Sequence, residues 1–149
     1  MSINKSRDLL PLLVMLESVE KILVYSKEIE TAQLFYWAED QMKFNASLLL
    51  LSNIGENANK ISEETRNFHP TFPWKQLRDL RNRIAHDYIG IDYEMVFKII
   101  SKQIPLLKTS IETVLKLGFE NNRFDQNECE AAQNSLYYRH ISFERFYLS

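Results

Sequence analysis

The run Arg81-Asn82-Arg83-Ile84-Ala85-His86-Asp87-Tyr88 brings a guanidinium, an imidazole and a phenol into one short, partly basic stretch. An arginine fork stays charged and matches phosphate oxygens, and a histidine moves protons near neutral pH. Together they suit phosphodiester chemistry without a metal, His86 relaying protons and Arg81 bracing the charge that builds on the non-bridging oxygens. Asn82 can orient phosphate or imidazole by hydrogen bonds. Arg83, Arg78 and Lys75 could follow an RNA backbone, although for Lys75 and Arg78 a solvated helix face is the favoured reading. Tyr88 fits either a packing aromatic or a reactive hydroxyl.

Helix geometry constrains how these groups meet. At about 100° per residue, positions five apart lie roughly 140° around a helix, whereas Arg81 and Tyr88, seven apart, nearly eclipse one another. A single regular helix therefore does not focus Arg81 and His86 on one phosphate. Either the last turn unwinds before Gly90, or a second copy of the chain completes the site. The second copy is the favoured reading, because it also supplies the second proton-transfer group that cyclising cleavage needs.

The elements that must carry the motif are helical. Only 3 Gly and 4 Pro occur in 149 residues, which leaves little turn chemistry for a sheet, and the apolar spacing is i, i+3, i+4. A first helix is expected from about Lys5 to Ser26, with Leu9, Leu12, Leu16, Val19 and Leu23 on one stripe. A long second helix, Tyr36 to Phe68, carries Leu48, Leu51, Gly55, Ala58 and Ile61 and stops at Pro70. Pro73 opens a third helix with Trp74, Leu77, Leu80 and Ile84, which ends near Gly90. Asp92 caps a fourth, with Val96, Ile99, Ile100, Gln103, Leu107, Ile111 and Val114, kinked at Pro105 and ended by Gly118. The spacing predicts an all-α chain: an antiparallel four-helix up-and-down bundle over residues 1–118 and a C-terminal extension over 119–149. The extension has scattered aromatics but no sustained stripe, so its role stays open, and the bundle is expected to fold without it.

Composition narrows the classes. The chain is 45% hydrophobic and 26% charged, an ordinary globule able to bury a core. Its formal net charge is −2, and residues 1–118 hold 15 basic and 15 acidic side chains, so nucleic acid would have to bind through a local patch. A single cysteine, Cys129, excludes an intrachain disulfide and fits a cytoplasmic setting. The apolar run from Leu9 to Leu16 is broken by Pro11 and followed by Glu17, too short for a membrane span. No H-E-x-x-H or Glu-x-x-His spacing surrounds His69, His86 or His140, and no P-loop, G-x-S-x-G elbow or Rossmann glycine set is present. No metal or other cofactor is expected.

Taken in order, Gly55-Glu56 with Ala58, Phe72-Pro73-Trp74, Leu80 through Tyr88, and Gly90-Ile91-Asp92 resemble the HepT-like branch of the HEPN superfamily over about residues 7–116. The specific part is the R-x4-H-x-Y signature at Arg81, His86 and Tyr88. The resemblance implies a helical endoribonuclease acting as the toxin of a toxin-antitoxin module, with an MntA-type minimal nucleotidyltransferase as partner. It implies that Arg81 and His86 are the catalytic pair, that two protomers face each other across a cleft as a homodimer, and that Tyr88 can be adenylylated (AMPylation) by the partner as neutralisation. The competing reading is a catalytically silent helical dimer that only binds the nucleotidyltransferase. Retention of both Arg81 and His86 favours the enzyme.

Overall fold

The computed structural model describes residues 5–148, so the outermost positions of the two expected segments, 1–4 and 149, lie outside the described residues. The described chain is all-α: α1 (Leu9–Ser26), α2 (Ala32–Trp37), α3 (Met42–Ala58), α4 (Glu63–Phe68), α5 (Trp74–Asp87), α6 (Tyr93–Lys98), a π-helical turn (Ile99–Gln103), α7 (Ile104–Glu120) and α8 (Gln126–Gln133). Two 3-10 turns, Leu136–Tyr138 and Phe143–Arg145, close the chain. None of these helices is long and apolar enough to cross a membrane.

The first helix starts at Leu9 rather than Lys5 because Asp8 is taken up elsewhere. Its buried carboxylate accepts from the Ser62 backbone N–H at 2.9 Å, the Ser62 hydroxyl at 2.7 Å and the Thr65 hydroxyl at 2.6 Å. Burial by itself would raise the Asp8 pKa, but the hydrogen bonds from Thr65, Ser62 and Ser6 together outweigh it and hold the carboxyl below its ordinary range.

The same clamp corrects the expected second helix. Instead of one rod from Tyr36 to Phe68 there are three pieces. The first break is a left-handed turn with positive φ at Glu39, Asp40 and Gln41, a conformation that costs roughly 1–2 kcal/mol per non-glycine residue. It brings Phe35, which is fully buried, against Phe44 and Phe97, and stacks Tyr36 on Tyr93 at 4.5 Å. The second break follows Ala58, where Ser62 turns to cap α4 by accepting from the Thr65 N–H while bonding Asp8. Aromatic burial and a carboxylate more than fifty positions away override local helix propensity.

Farther on, Pro73 is the residue capping α5 rather than part of its first turn. Asp92 caps α6 as expected, accepting from the Glu94 and Met95 N–H groups. Pro105, which lacks an N–H, sits at the start of α7 just after the π-helical turn, so the missing hydrogen bond is absorbed by a local change of helix pitch. Gly118 does not end α7, which continues to Glu120. It is small because a Cβ there would collide with the Phe124 ring.

The core is one cluster. Helix α1 packs on α3 and α7, and α3 packs on α5. The C-terminal extension joins the same cluster: Phe124, Cys129, Ala132, Ile141, Phe143, Phe146 and Tyr147 are all buried in it. Burial raises the Cys129 thiol to about 11, which keeps it an unreactive thiol at neutral pH.

Candidate functional site

Two apolar contacts, Leu77 and Ile84, with half-buried Leu80 and Trp74, fix the inner face of α5. Trp74 is also tied at the start of the helix, where its Nε1 donates to the His69 carbonyl at 3.0 Å and its ring stacks on Phe72. The other positions of α5 are exposed and, apart from Ala85, polar, with Arg81 half-buried at the edge of that face.

Helix α3 lies alongside. A Cβ at Gly55 would come within 2.5 Å of both the Leu77 carbonyl oxygen and Arg81 Cβ, so the absent side chain is what lets the two backbones approach. Gly55 meets Leu77 and Arg81 at one end of the contact and Asn45 meets Tyr88 at the other, so α3 and α5 run in opposite directions.

Along that seam sit the motif residues. Arg81 Nε is 2.9 Å from Glu56 Oε2, and Arg81 Nη1 donates to Asn82 Oδ1 at 3.1 Å. Tyr88 is 51% exposed, and its hydroxyl donates to Asn45 Oδ1 over a long 3.4 Å. His86 is exposed, with no side-chain hydrogen bond or ion pair to another described residue. Arg78 and Arg83 are likewise exposed and unpaired among the described residues. Lys75 instead pairs with Asp79 at 3.0 Å one helical turn away, an exposed contact of little energetic weight.

The helix does not unwind before the histidine. Its α-helical span includes His86 and Asp87, and Tyr88 still has φ −49° and ψ −47°. Arg81 and His86 therefore stay roughly 140° apart around one axis. The structure joins Arg81 to Asn82 and to Glu56, joins Tyr88 to Asn45, and leaves His86 on the open face. Three positions farther along the chain, past the end of α5, Ile89 is 99% exposed.

Glu56 and Asn45 acquired no role from sequence reasoning. The Gly55-Glu56 pair was visible in the resemblance, but a partner 25 positions downstream cannot be read from spacing. Among the described residues no group of three or more His, Cys, Asp or Glu side chains is gathered so as to hold a metal ion.

A family model described as Ribonuclease HepT-like matches residues 15–114, a span that includes α3 and the whole of α5. "Putative RNase MJ1380" of Methanocaldococcus jannaschii is 32% identical over 99 residues, covering 66% of this chain and 88% of the relative. "Probable ribonuclease HepT" of Thermococcus cleftensis is 28% identical over 100 residues, covering 67% and 88%. No solved structure matches.

Proposed function

Because the chain belongs to the HepT-like ribonuclease family of the HEPN superfamily, we propose that it is a metal-independent endoribonuclease whose catalytic pair is Arg81 and His86. The observation that carries this reading is the pair's exposure on one uninterrupted helix: a histidine with no internal partner and a guanidinium whose Nη2 is unengaged among the described residues. Groups with structural duties in this chain, such as Asp8, are buried and fully bonded; these two are not.

In the reaction, a ribose 2′-oxygen attacks the adjacent phosphorus and the bond from phosphorus to the 5′-oxygen breaks. One His86 takes the proton of the 2′-hydroxyl. A second His86, from the other copy of a homodimer, protonates the departing 5′-oxygen. Arg81 stabilises the charge on the non-bridging oxygens. The products are a 2′,3′-cyclic phosphate and a 5′-hydroxyl. Two copies are needed because about 140° of helix separates Arg81 from His86 within one chain, so the cleft lies between facing α5 helices and exposed Ile89 falls beside it. Asn82 orients the guanidinium, and Arg78 and Arg83 contact the RNA backbone. The scaffold of this cleft is an antiparallel four-helix up-and-down body over residues 1–118, with 119–149 as an extension.

The biological role in this reading is that of a cytoplasmic toxin whose partner is an MntA-type nucleotidyltransferase antitoxin. The partner transfers AMP from ATP to the Tyr88 hydroxyl, releasing pyrophosphate. Tyr88 is half-exposed, and its hydroxyl is only loosely held by Asn45. The added phosphate charge lies on the Arg81 side of the helix and competes with RNA.

The test is cleavage of single-stranded RNA by purified protein in excess EDTA, with end-group analysis. Cyclic phosphate ends, lost in Arg81→Ala and His86→Ala, are expected. Cleavage abolished by EDTA would refute the metal-free mechanism, and no cleavage at all would favour a silent partner of the nucleotidyltransferase. On co-expression with that enzyme the peptide containing Tyr88 should gain one or more AMP masses, and Tyr88→Phe should not. An unmodified Tyr88 in a neutralised complex would point to occlusion instead.

A further inference from the structure

Arg81 lies at the inner edge of the exposed face of α5, and what holds it there belongs to α3. Two consecutive α3 residues form its seat. Gly55 provides the clearance, since a Cβ there would reach 2.5 Å from Arg81 Cβ. Glu56 provides the charge, with Oε2 at 2.9 Å from Arg81 Nε. On the opposite side of the guanidinium, Nη1 donates to Asn82 Oδ1, and Nη2 has no partner among the described residues. A flexible arginine would otherwise sample many rotamers, and each would have to be frozen out when a phosphate binds.

We propose that Glu56, seated by Gly55, is a positioning residue for Arg81. It anchors the guanidinium by its Nε side so that the Nη2 side is presented to the scissile phosphate, and it offsets the arginine's charge until RNA arrives. The proposal rests on the ribonuclease reading of Arg81.

The pair is half-exposed on both sides, where an ion pair adds little to stability, so its effect falls on geometry rather than on the fold. Its kinetic signature is unusual. A carboxylate beside the site opposes the approach of a polyanion, so neutralising it should leave RNA binding unchanged or tighter while turnover falls. A residue that merely supported the fold would lower the amount of active protein and the melting temperature together.

The experiment compares Glu56→Gln, Glu56→Asp, Arg81→Ala and the Glu56→Gln/Arg81→Ala double variant on a short single-stranded RNA in chelator. Glu56→Gln should lower kcat about tenfold or more, with KM unchanged or reduced and the melting curve unaltered. Glu56→Asp should recover part of the loss, and Glu56→Gln should add nothing in the Arg81→Ala background. Wild-type kcat in Glu56→Gln beside an inactive Arg81→Ala overturns the positioning role and leaves the ribonuclease reading standing. Full activity in Arg81→Ala overturns that reading itself. A readout independent of catalysis is the order of the Arg81 guanidinium by nitrogen-15 relaxation at Nε: Glu56→Gln should make it more mobile, and unchanged order overturns the proposal.

Discussion

On α5 the motif side chains are tied to the rest of the molecule by one ion pair, Arg81 to Glu56, and one long hydrogen bond, Tyr88 to Asn45. Beyond α3, on the α1 and α7 side, the C-terminal extension is held quite differently. The fully buried carboxylate of Glu17 on α1 accepts from the His140 backbone N–H at 2.8 Å and meets His140 Nδ1 at 2.5 Å. Buried Glu112 on α7 accepts from Arg145 Nε at 2.6 Å and Nη2 at 3.2 Å. Phe119, Phe124, Phe143, Phe146 and Tyr147 pack ring against ring in the same region of the chain. Both regions contain histidine, arginine and glutamate, so residue type does not separate them. Burial does. Where the carboxylates are buried their partners, His140 and Arg145, are held in structural contacts, and on α5 the His86 imidazole and the Nη2 edge of the Arg81 guanidinium stay open to a ligand.

The largest expected break of this contrast is truncation after Gly118. The sequence alone expects the helices to fold without the extension, but removal uncovers two buried carboxylates and the apolar surface against five buried large side chains, each worth a few kcal/mol when truncated. The truncated chain is expected to lose its cooperative melt by calorimetry; a sharp transition near the full-length midpoint would show that the extension is only apposed. At the other pole, Arg81→Ala and His86→Ala should each lower cleavage about a hundredfold or more while shifting stability by less than about 0.5 kcal/mol in denaturant melts, as for exposed surface positions. A stability loss comparable to the activity loss would erase the distinction.

A smaller effect separates the regions by pH. Asp8 has a folded pKa below its unfolded value, so its stabilising contribution is complete above the ordinary aspartate pKa of about 3.9 and disappears as pH falls through the folded value. Thermal melts from neutral pH downward should show this acid limb, and Asp8→Asn should flatten it. The smallest expected effect is at Lys75. Its exposed pair with Asp79 should contribute no more than about 0.5 kcal/mol, and Lys75→Ala should leave both melt and turnover near wild type. A clear loss of RNA affinity there would extend the functional face beyond the motif.

Much of this was legible in the chain. Helical periodicity placed α1, α5 and the α6–α7 stretch within a few residues of their observed bounds. The R-x4-H-x-Y signature with its flanks identified the family, which the match over residues 15–114 bears out, because those signals are local: they depend on spacing along one helix and on caps such as Asp92. The breaks at 39–41 and 59–62 were not legible, since each is enforced from elsewhere, by Phe97 and Tyr93 across the first and by Asp8 across the second. Nor was the packing of the extension, whose buried aromatics have no helical period because they enter the core from short turns rather than from a regular helix. The pair to which the proposed chemistry is assigned, Arg81 and His86, was thus legible in the sequence. Which acidic residue would stand against Arg81, and which histidine would be held by a buried carboxylate rather than left open, was decided only when segments distant in sequence packed together, because burial and pairing are properties of neighbours in space.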